Sequence, residues 1–189
     1  MKYILAHNNK NPYFRSMELD INNLFVTDTQ NKSQSLASIM SKNIVLICML
    51  RHFGWIFCKE QAAQLSSIKN EINQIDIELI FIGSGSPEQA RFFQEDYKID
   101  AKVFSDQELI IYKALGAKNS LISNITPGVW IAGLRAFLNG FMQSKTQGTY
   151  TQQGGVALIT KNGEVAYLYL SKYAGDHIEP RILLQKIKK

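Results

Sequence analysis

The chain has 189 residues, of which 46% are hydrophobic and 20% are charged, and its net charge at pH 7 is +5. A single domain of this length buries about 70% of its unfolded surface, so we expect a core that needs neither a disulfide nor a metal. The scattered lysines disfavour a nucleic-acid-binding protein, and no stretch approaches the ~20 apolar residues of a membrane span.

The chain contains two cysteines, Cys48 and Cys58, and neither has metal-ligand spacing relative to a pair of histidines. This usage is typical of proteins in a reducing compartment. We therefore expect a cytoplasmic protein that binds no metal and no cofactor.

The first predicted elements lead into a buried strand. Residues 1–20 are largely polar, so we expect an N-terminal arm there and a single domain over residues 21–189. Leu24–Thr27 has the pattern of a short strand, and Ser35–Met40 that of one turn of helix. The apolar, β-branched run Asn43–Leu50 predicts a central strand that is buried on both faces.

A helix is predicted to follow this strand after a short loop. Its apolar positions recur at intervals of three and four residues, which is the spacing of one helix face. The pattern predicts an amphipathic helix over Ile56–Gln74, followed by a buried strand over Ile77–Ile82. The repeating positions are Cys58, Ala62, Leu65, Ile68 and Ile72.

Two further helices are predicted from capping signals. Ser86–Gln89 combines an N-cap serine, a proline at the first helical position and a capping-box glutamine. Ser105 and Glu108 have the spacing of a second capping box, and Gly116 is suited to end that helix. A short strand, Lys102–Phe104, is predicted between the two helices.

The segment Ala117–Thr151 is predicted to carry an extra helix over Gly128–Gln143, followed by a polar loop. We interpret its aromatic stripe as packing on the domain's own sheet or on a second copy of the chain. The alternatives are a lid over Cys58 or a groove for a partner. The stripe consists of Trp130, Leu134, Phe137, Leu138 and Phe141.

A hairpin and a helix are predicted to complete the chain. Asn162-Gly163 lies between the strand patterns Val156–Thr160 and Glu164–Leu170, which is a strong hairpin signal. The last helix is predicted over His177–Ile187, with Asp176 as its cap. The order of elements predicts an α/β fold: a mixed sheet with helices on both faces and an extra helix inserted before the C-terminal hairpin.

The loop Arg51–Glu60 places Cys58 close to the start of a helix. Unpaired N–H groups and the partial positive charge of the helix favour an anion there, so we expect a lowered thiol pKa and a reactive thiolate. The alternative is a small buried hydrophobe that Trp55 covers. Cys48 is predicted to be a core residue beyond disulfide reach of Cys58.

Several motifs occur in the same chain order as in a known family. They are Arg51-His52-Phe53-Gly54, Cys58-Lys59-Glu60 with Ala62-Ala63 and Leu65, Phe81–Glu88, Phe104-Ser105-Asp106, Tyr112–Gly116, Gln152–Gly155 and Gly175-Asp176-His177. This order resembles the peroxiredoxin-like AhpC/TSA group of the thioredoxin-fold superfamily, which includes the selenoprotein U relatives. The resemblance implies a thioredoxin-like fold from about Leu24 to the C-terminus. Trp55 stands where that family usually has its first Cys or selenocysteine, and Thr149 stands where an Asp is common.

The resemblance implies a catalytic site. Cys58 stands at the second position of the Cys-x-x-Cys site, which is where typical peroxiredoxins place the cysteine that attacks peroxide. Arg51 is the best donor to a thiolate and a peroxide oxygen, because a guanidinium stays charged. His52 either supplies a proton or points to solvent. The residues predicted to line the substrate pocket are Trp55, Gly54, Phe57, Gly154 and Gly155.

Two features disfavour disulfide exchange. Trp55 removes the first thiol of a Cys-x-x-Cys pair, and Gly154 and Gly155 stand where thioredoxins place a cis-proline that docks protein substrates. The first hypothesis is therefore an antioxidant enzyme that reduces peroxides through Cys58 in a one-cysteine cycle, with an external thiol as reductant. The alternative is a catalytically degenerate member with a binding or scaffold role. The sequence does not decide between a monomer and a homodimer. A glutathione transferase function has no support in the sequence beyond the fold.

Overall fold

The computed structural model describes residues 17–118, 151–173 and 175–188. The predicted helix Gly128–Gln143, the polar loop after it and most of the predicted N-terminal arm lie outside these residues. The described strands are β1 (Phe25–Asp28), β2 (Ser33–Ser35), β3 (Ile44–Leu50), β4 (Ile77–Gly83), β5 (Lys102–Ser105), β6 (Gly155–Thr160) and β7 (Val165–Leu170). The described helices are α1 (Leu36–Ile39), α2 (Ile56–Ser67), α3 (Lys69–Gln74), α4 (Pro87–Asp96), α5 (Ile110–Ala114) and α6 (Pro180–Ile187).

The seven described strands form one sheet in the order β2-β1-β5-β4-β3-β6-β7. The pairs β3–β4 and β4–β5 are parallel, and the pairs β1–β5, β3–β6 and β6–β7 are antiparallel. Every residue of β3 is buried, because helices cover both faces of the sheet at its centre. The predicted mixed α/β sheet is confirmed.

The core lies in two layers, one on each face of the sheet. Along β3, residues alternate between the layers: Leu46, Cys48 and Leu50 belong to one and Val45 to the other. Cys58 from α2 packs in the same layer as Cys48. None of the described helices has the length and hydropathy of a membrane-spanning segment.

The prediction of one continuous helix over Ile56–Gln74 is wrong, since the structure has two helices that meet at Ile68. Ile68 leaves helical geometry at φ −107° and ψ 10°, and its N–H bonds to the carbonyl of Leu65, three residues back. The Ser67 hydroxyl donates to the Gln64 carbonyl at 2.7 Å. A serine that bonds back to its own helix competes with the backbone ladder and bends it.

The capping box predicted from Ser105 and Glu108 is also wrong. The carboxylate of Asp106 instead accepts hydrogen bonds from the backbone N–H groups of Ile110 and Ile111, each at 2.8 Å, and α5 begins at Ile110. The Ser105 hydroxyl donates to the carbonyl of Gly85 at 2.5 Å. A carboxylate accepts two N–H groups at once, so Asp106 satisfies more of the helix start than a serine does.

The last helix begins at Pro180, so the prediction that it starts at His177 under an Asp176 cap is wrong. Proline suits the first helical position, and it disfavours helical geometry in the residue before it, which is Glu179. Asp176 is left in the segment that joins β7 to α6. The other terminal signals are confirmed: Ser86 forms the predicted capping box, and Gly163 adopts φ +88° in the predicted hairpin turn.

Candidate active site at Cys58

Cys58 lies in the first turn of α2, directly after the loop that leaves the end of β3. Its backbone N–H donates to the carbonyl of Trp55 at 3.0 Å, and Trp55 is the residue that precedes the helix. The side chain is 3% exposed. The predicted position of Cys58 near a helix start is therefore confirmed. Its burial is also confirmed, which is the basis of the alternative interpretation of Cys58 as a small buried hydrophobe.

The predicted lowering of the Cys58 pKa is wrong, because burial raises the pKa of this thiol above its ordinary value. Four fixed groups oppose that rise. The backbone N–H groups of His52 and Arg51 donate to the sulfur, and the positive charges of Arg51 and Lys59 favour the thiolate. The site thus combines N–H groups and positive charges that stabilise a thiolate with burial that excludes solvent from the sulfur.

Arg51 is buried at the end of β3, with 4% of its surface exposed. Its guanidinium carbon lies 4.9 Å from the centroid of the Trp55 ring, in cation–π contact. Burial lowers the pKa of Arg51, while the nearby Cys58 and Asp176 raise it. An arginine remains charged under these conditions, so Arg51 keeps a positive charge close to the Cys58 thiol.

His52 is buried, so the alternative that it points to solvent is wrong. Its ring stacks on Trp55 with centroids 5.2 Å apart and an interplanar angle of 12°. Burial, with the charges of Arg51 and Lys59, lowers the pKa of His52 to about 4. His52 is therefore neutral at pH 7, and only the N–H of a neutral imidazole is available for the predicted proton transfer.

Two buried hydroxyl groups fix the backbone that carries Arg51. The Ser84 hydroxyl donates to the Arg51 carbonyl at 2.5 Å. The Tyr112 hydroxyl lies 2.5 Å from the carbonyl of Leu50 and 3.0 Å from that of Ile82, so it ties the ends of β3 and β4 together. Sequence reasoning missed both roles, although both residues lie within the motifs that carry the resemblance.

Gly154 lies against the end of β3. A methyl group added there would be 2.7 Å from the carbonyl oxygen of Met49 and 3.6 Å from Cγ of Arg51, so the close approach requires glycine. Gly155 is the first residue of β6, where it pairs with Met49 of β3 and packs on the backbone of Tyr169 of β7.

The remaining predicted pocket residues lie in the loop and the first turn of α2. Gly54 is buried, and the ring of Phe57 is 5.8 Å from that of Trp55 in a tilted arrangement. The structure therefore gathers Arg51, His52, Gly54, Trp55, Phe57, Cys58 and Gly154 around the turn between β3 and α2.

The segment between β7 and α6 adds charged residues that sequence reasoning assigned to a helix cap. Asp176 accepts hydrogen bonds from the Tyr169 hydroxyl at 2.6 Å and from the Lys172 backbone at 2.7 Å. His177 Nε2 lies 3.9 Å from a carboxylate oxygen of Glu60, which is fully buried on α2. These positions depend on the pairing of β7 beside β6, so no local sequence signal could have revealed them.

Both cysteines are free thiols. Cys48 is fully buried as predicted, and burial, with a smaller contribution from Cys58, raises its pKa well above the ordinary value. Across residues 17–118 and 151–188, apart from Ala174, no three His, Cys, Asp or Glu side chains converge as a metal site would require. The chemistry that this arrangement offers is that of a single thiol beside a fixed cation.

The sequence is similar to proteins from plants and animals. It is 27% identical over 161 residues to the chloroplastic thioredoxin-like protein AAED1 of Arabidopsis thaliana, covering 80% of this chain and 64% of that protein. It is 26% identical over 156 residues to human prostamide/prostaglandin F synthase, covering 79% and 78%.

A solved structure shows the same fold. The crystal structure of peroxidoxin BcpB from Mycobacterium tuberculosis superimposes with a TM-score of 0.66 at 13% sequence identity, covering 92% of this chain and 96% of the other. The sequence profile described as AhpC/TSA antioxidant enzyme matches residues 64–172, a range that begins six residues after Cys58. The match spans more than half of the chain, and the protein belongs to the AhpC/TSA family, with a thioredoxin-like fold of the peroxiredoxin type.

Proposed function

We propose that this protein is a thiol-dependent oxidoreductase that reduces peroxides through Cys58 in a one-cysteine cycle. The observation that carries the proposal is the environment of the Cys58 sulfur. Two backbone N–H groups donate to it, and the positive charges of Arg51 and Lys59 act on it. These four groups stabilise a thiolate, which is the form of cysteine that attacks an oxygen atom.

The proposed cycle balances with a peroxide and two external thiols. The Cys58 thiolate attacks one peroxide oxygen, an S–O bond forms, the O–O bond breaks, and the other oxygen leaves as an alcohol or water after it takes up a proton. Cys58 becomes a sulfenic acid. A first external thiol displaces water to give a mixed disulfide, and a second releases the Cys58 thiol together with the disulfide of the reductant.

Arg51 is the proposed donor to the peroxide. Negative charge develops on the leaving oxygen, and a fixed cation in a water-poor site stabilises that charge by about 2 kcal/mol or more. Arg51 is held for this role by the Trp55 ring and by the backbone bonds at the end of β3. Neutral His52 contributes at most one N–H to this step.

The family supports oxidoreductase chemistry, and the human relative is named prostamide/prostaglandin F synthase, so lipid precursors of prostaglandin F are further substrates worth testing. The proposal includes a reducing, cytoplasmic location, which suits two free thiols.

A second candidate is a binding or scaffold protein that has lost catalysis. The observation that favours it is that Cys58 is 3% exposed and that burial raises its pKa. A thiol in that state resembles an ordinary core cysteine. The two candidates differ in one measurable property, which is whether Cys58 consumes peroxide.

The test is the consumption of hydrogen peroxide and of an organic hydroperoxide with dithiothreitol as the external thiol. We expect turnover by the wild-type protein and by Cys48→Ser, none by Cys58→Ser, and a loss of at least about 30-fold in Arg51→Ala, which corresponds to about 2 kcal/mol. Equal turnover by Cys58→Ser and the wild type would contradict the proposal. No turnover by any variant would leave the binding or scaffold candidate.

A further inference from the structure

Gln61 is a buried polar residue on α2 to which the reaction described above gives no role. The residue is 7% exposed. Within the described part of the chain, its amide nitrogen Nε2 is buried and has no hydrogen-bond partner. A buried donor without an acceptor destabilises a fold, so native proteins contain few of them and each one requires an explanation.

Gln61 lies one helical turn after Cys58. Residues three positions apart on an α-helix are neighbours on its surface, with Cβ atoms about 5–6 Å apart. Long side chains on a helix lean towards its N-terminus, over the residues three and four positions earlier. For Gln61 these residues are Cys58 and Phe57, which are both buried. The amide of Gln61 is therefore directed towards the turn that carries the Cys58 sulfur.

The sulfur of Cys58 has other partners in the reduced protein. The backbone N–H groups of His52 and Arg51 donate to it, and the charges of Arg51 and Lys59 favour its thiolate. A thiol sulfur is a weak acceptor, whereas an oxygen atom bonded to that sulfur is a strong one. The oxygen that Cys58 gains from a peroxide is therefore suited to pair with the Gln61 amide.

We propose that Gln61 is a further catalytic residue, whose amide N–H donates a hydrogen bond to the peroxide oxygen that Cys58 takes up. In this step the S–O bond forms and the O–O bond breaks, so the sulfur is oxidised and the peroxide is reduced. The other oxygen takes up a proton and leaves as water or an alcohol. Gln61 transfers no proton and holds the oxygen that stays, while Arg51 faces the oxygen that leaves. This inference rests on the proposed function and adds a donor for the second peroxide oxygen.

The inference predicts that Gln61→Leu separates two reactions of Cys58. Leucine is apolar and similar in size, so it removes the donor and fills the same space. Oxidation by hydrogen peroxide becomes slower, because the transferred oxygen loses a hydrogen bond in the transition state. Alkylation by iodoacetamide keeps its rate, because it depends on the thiolate, whose partners are unchanged, and adds no oxygen to the sulfur.

The experiment measures both rate constants in the full chain, with the sulfenic acid trapped by dimedone. We expect oxidation of Cys58 to fall about tenfold in Gln61→Leu, as for the loss of one hydrogen bond in the transition state. The matched control is Gln64→Leu, the same change at a half-buried position on a different face of α2 from Cys58, and it should leave both rates unchanged. The free energy of unfolding of the reduced protein should not fall in Gln61→Leu, because no paired group is lost.

The outcomes separate the inference from the proposed function. If the wild type oxidises faster than free cysteine and Gln61→Leu oxidises at the wild-type rate, the donor role is overturned while the proposed function stands. If oxidation and alkylation slow together, Gln61 shapes the site without donating to the oxygen, and the inference is again overturned. A marked loss of stability in Gln61→Leu, or its failure to fold, would show that the amide has a partner within the protein and would overturn the inference as well. If the wild type reacts no faster than free cysteine, the proposed function and this inference both fail.

Discussion

Charged residues lie at both ends of the parallel strands β3, β4 and β5, but they are buried at one end and largely exposed at the other. At the carboxyl ends, Arg51 and Lys59 are each 4% exposed beside Cys58. At the amino ends, the Lys102 side chain is 46% exposed and that of Asp76 is 71% exposed. We call these the Cys58 end and the Lys102 end.

The difference lies in what holds the charges. At the Lys102 end, Lys102 pairs with Glu78 at 2.8 Å and Lys42 pairs with Asp76 at 3.8 Å, and in each pair one side chain, Lys102 or Asp76, is exposed to water. Exposed ion pairs contribute little to stability. At the Cys58 end, water is excluded, so every charge there must be balanced by hydrogen bonds or by another charge. Burial therefore distinguishes a candidate catalytic site from a solvated surface.

The largest expected difference is a dependence of stability on acid at the Cys58 end. His52 has a pKa of about 4 when folded and about 6.5 when unfolded, so the unfolded chain gains a proton first as the pH falls. His52 thus stabilises the fold above pH 6.5, and we expect about 3 kcal/mol of that to be lost between pH 6.5 and pH 4. Urea denaturation across this range should show a steeper decline in the wild type than in His52→Gln. Parallel curves would contradict the buried, neutral state of His52.

A methyl group at Gly154 should disturb the same end sterically. The added carbon of Gly154→Ala would lie 2.7 Å from the Met49 carbonyl oxygen, so the backbone must shift. We expect a loss of about 2 kcal/mol in the free energy of unfolding, together with slower oxidation of Cys58. Gly116→Ala is the control, because space is open there and only its φ of +71° causes strain, at about 1 kcal/mol. Equal oxidation rates in the two variants would show that Gly154 does not support the site.

Tyr112→Phe should cost about 1.5 kcal/mol, because the carbonyl groups of Leu50 and Ile82 lose their buried hydroxyl partner. The measurement is the free energy of unfolding in urea. Tyr97→Phe is the matched control, since the residue is 38% exposed and its ring contact with Phe93 is retained. A loss no larger than that of the control would show that the hydroxyl does not fix the ends of β3 and β4.

At the Lys102 end, Lys102→Ala should cost less than about 1 kcal/mol. Burial raises the pKa of Glu78, but the hydrogen bonds from Lys102 and Ser41 outweigh burial and lower it overall. We therefore expect the variant to raise the Glu78 pKa, measurable by NMR titration, with little change in unfolding. If Lys102→Ala lost as much free energy of unfolding as Tyr112→Phe, the proposed difference in burial between the two ends would be contradicted.

Local signals in the sequence were sufficient for much of the fold. The apolar run of β3, the Asn162-Gly163 hairpin and the Ser86 capping box each depend on neighbouring residues alone, and all three are confirmed. Where a helix start was predicted wrongly, a neighbouring residue suits that start better than the predicted one. Asp106 is a better cap than Ser105, and Pro180 sets the start of α6.

The electrostatic state of the site could not be predicted in the same way. Lys59 and Glu60 have the composition of a surface, yet they are 4% and 0% exposed. The Cys58 pKa depends on this tertiary burial, so an argument from the helix start alone gave the wrong direction. The place of His177 beside Glu60 depends on the pairing of β7 with β6.

The most direct test of the central claim is the rate at which Cys58 forms a sulfenic acid with hydrogen peroxide, trapped with dimedone and located by mass spectrometry from pH 6 to pH 10. We expect an adduct on Cys58 and none on Cys48, and a rate constant above that of free cysteine. Since burial raises the Cys58 pKa, the rate should still be rising above pH 8.5, the ordinary pKa of a cysteine. A rate no greater than that of free cysteine, or an adduct on Cys48 instead, would contradict it.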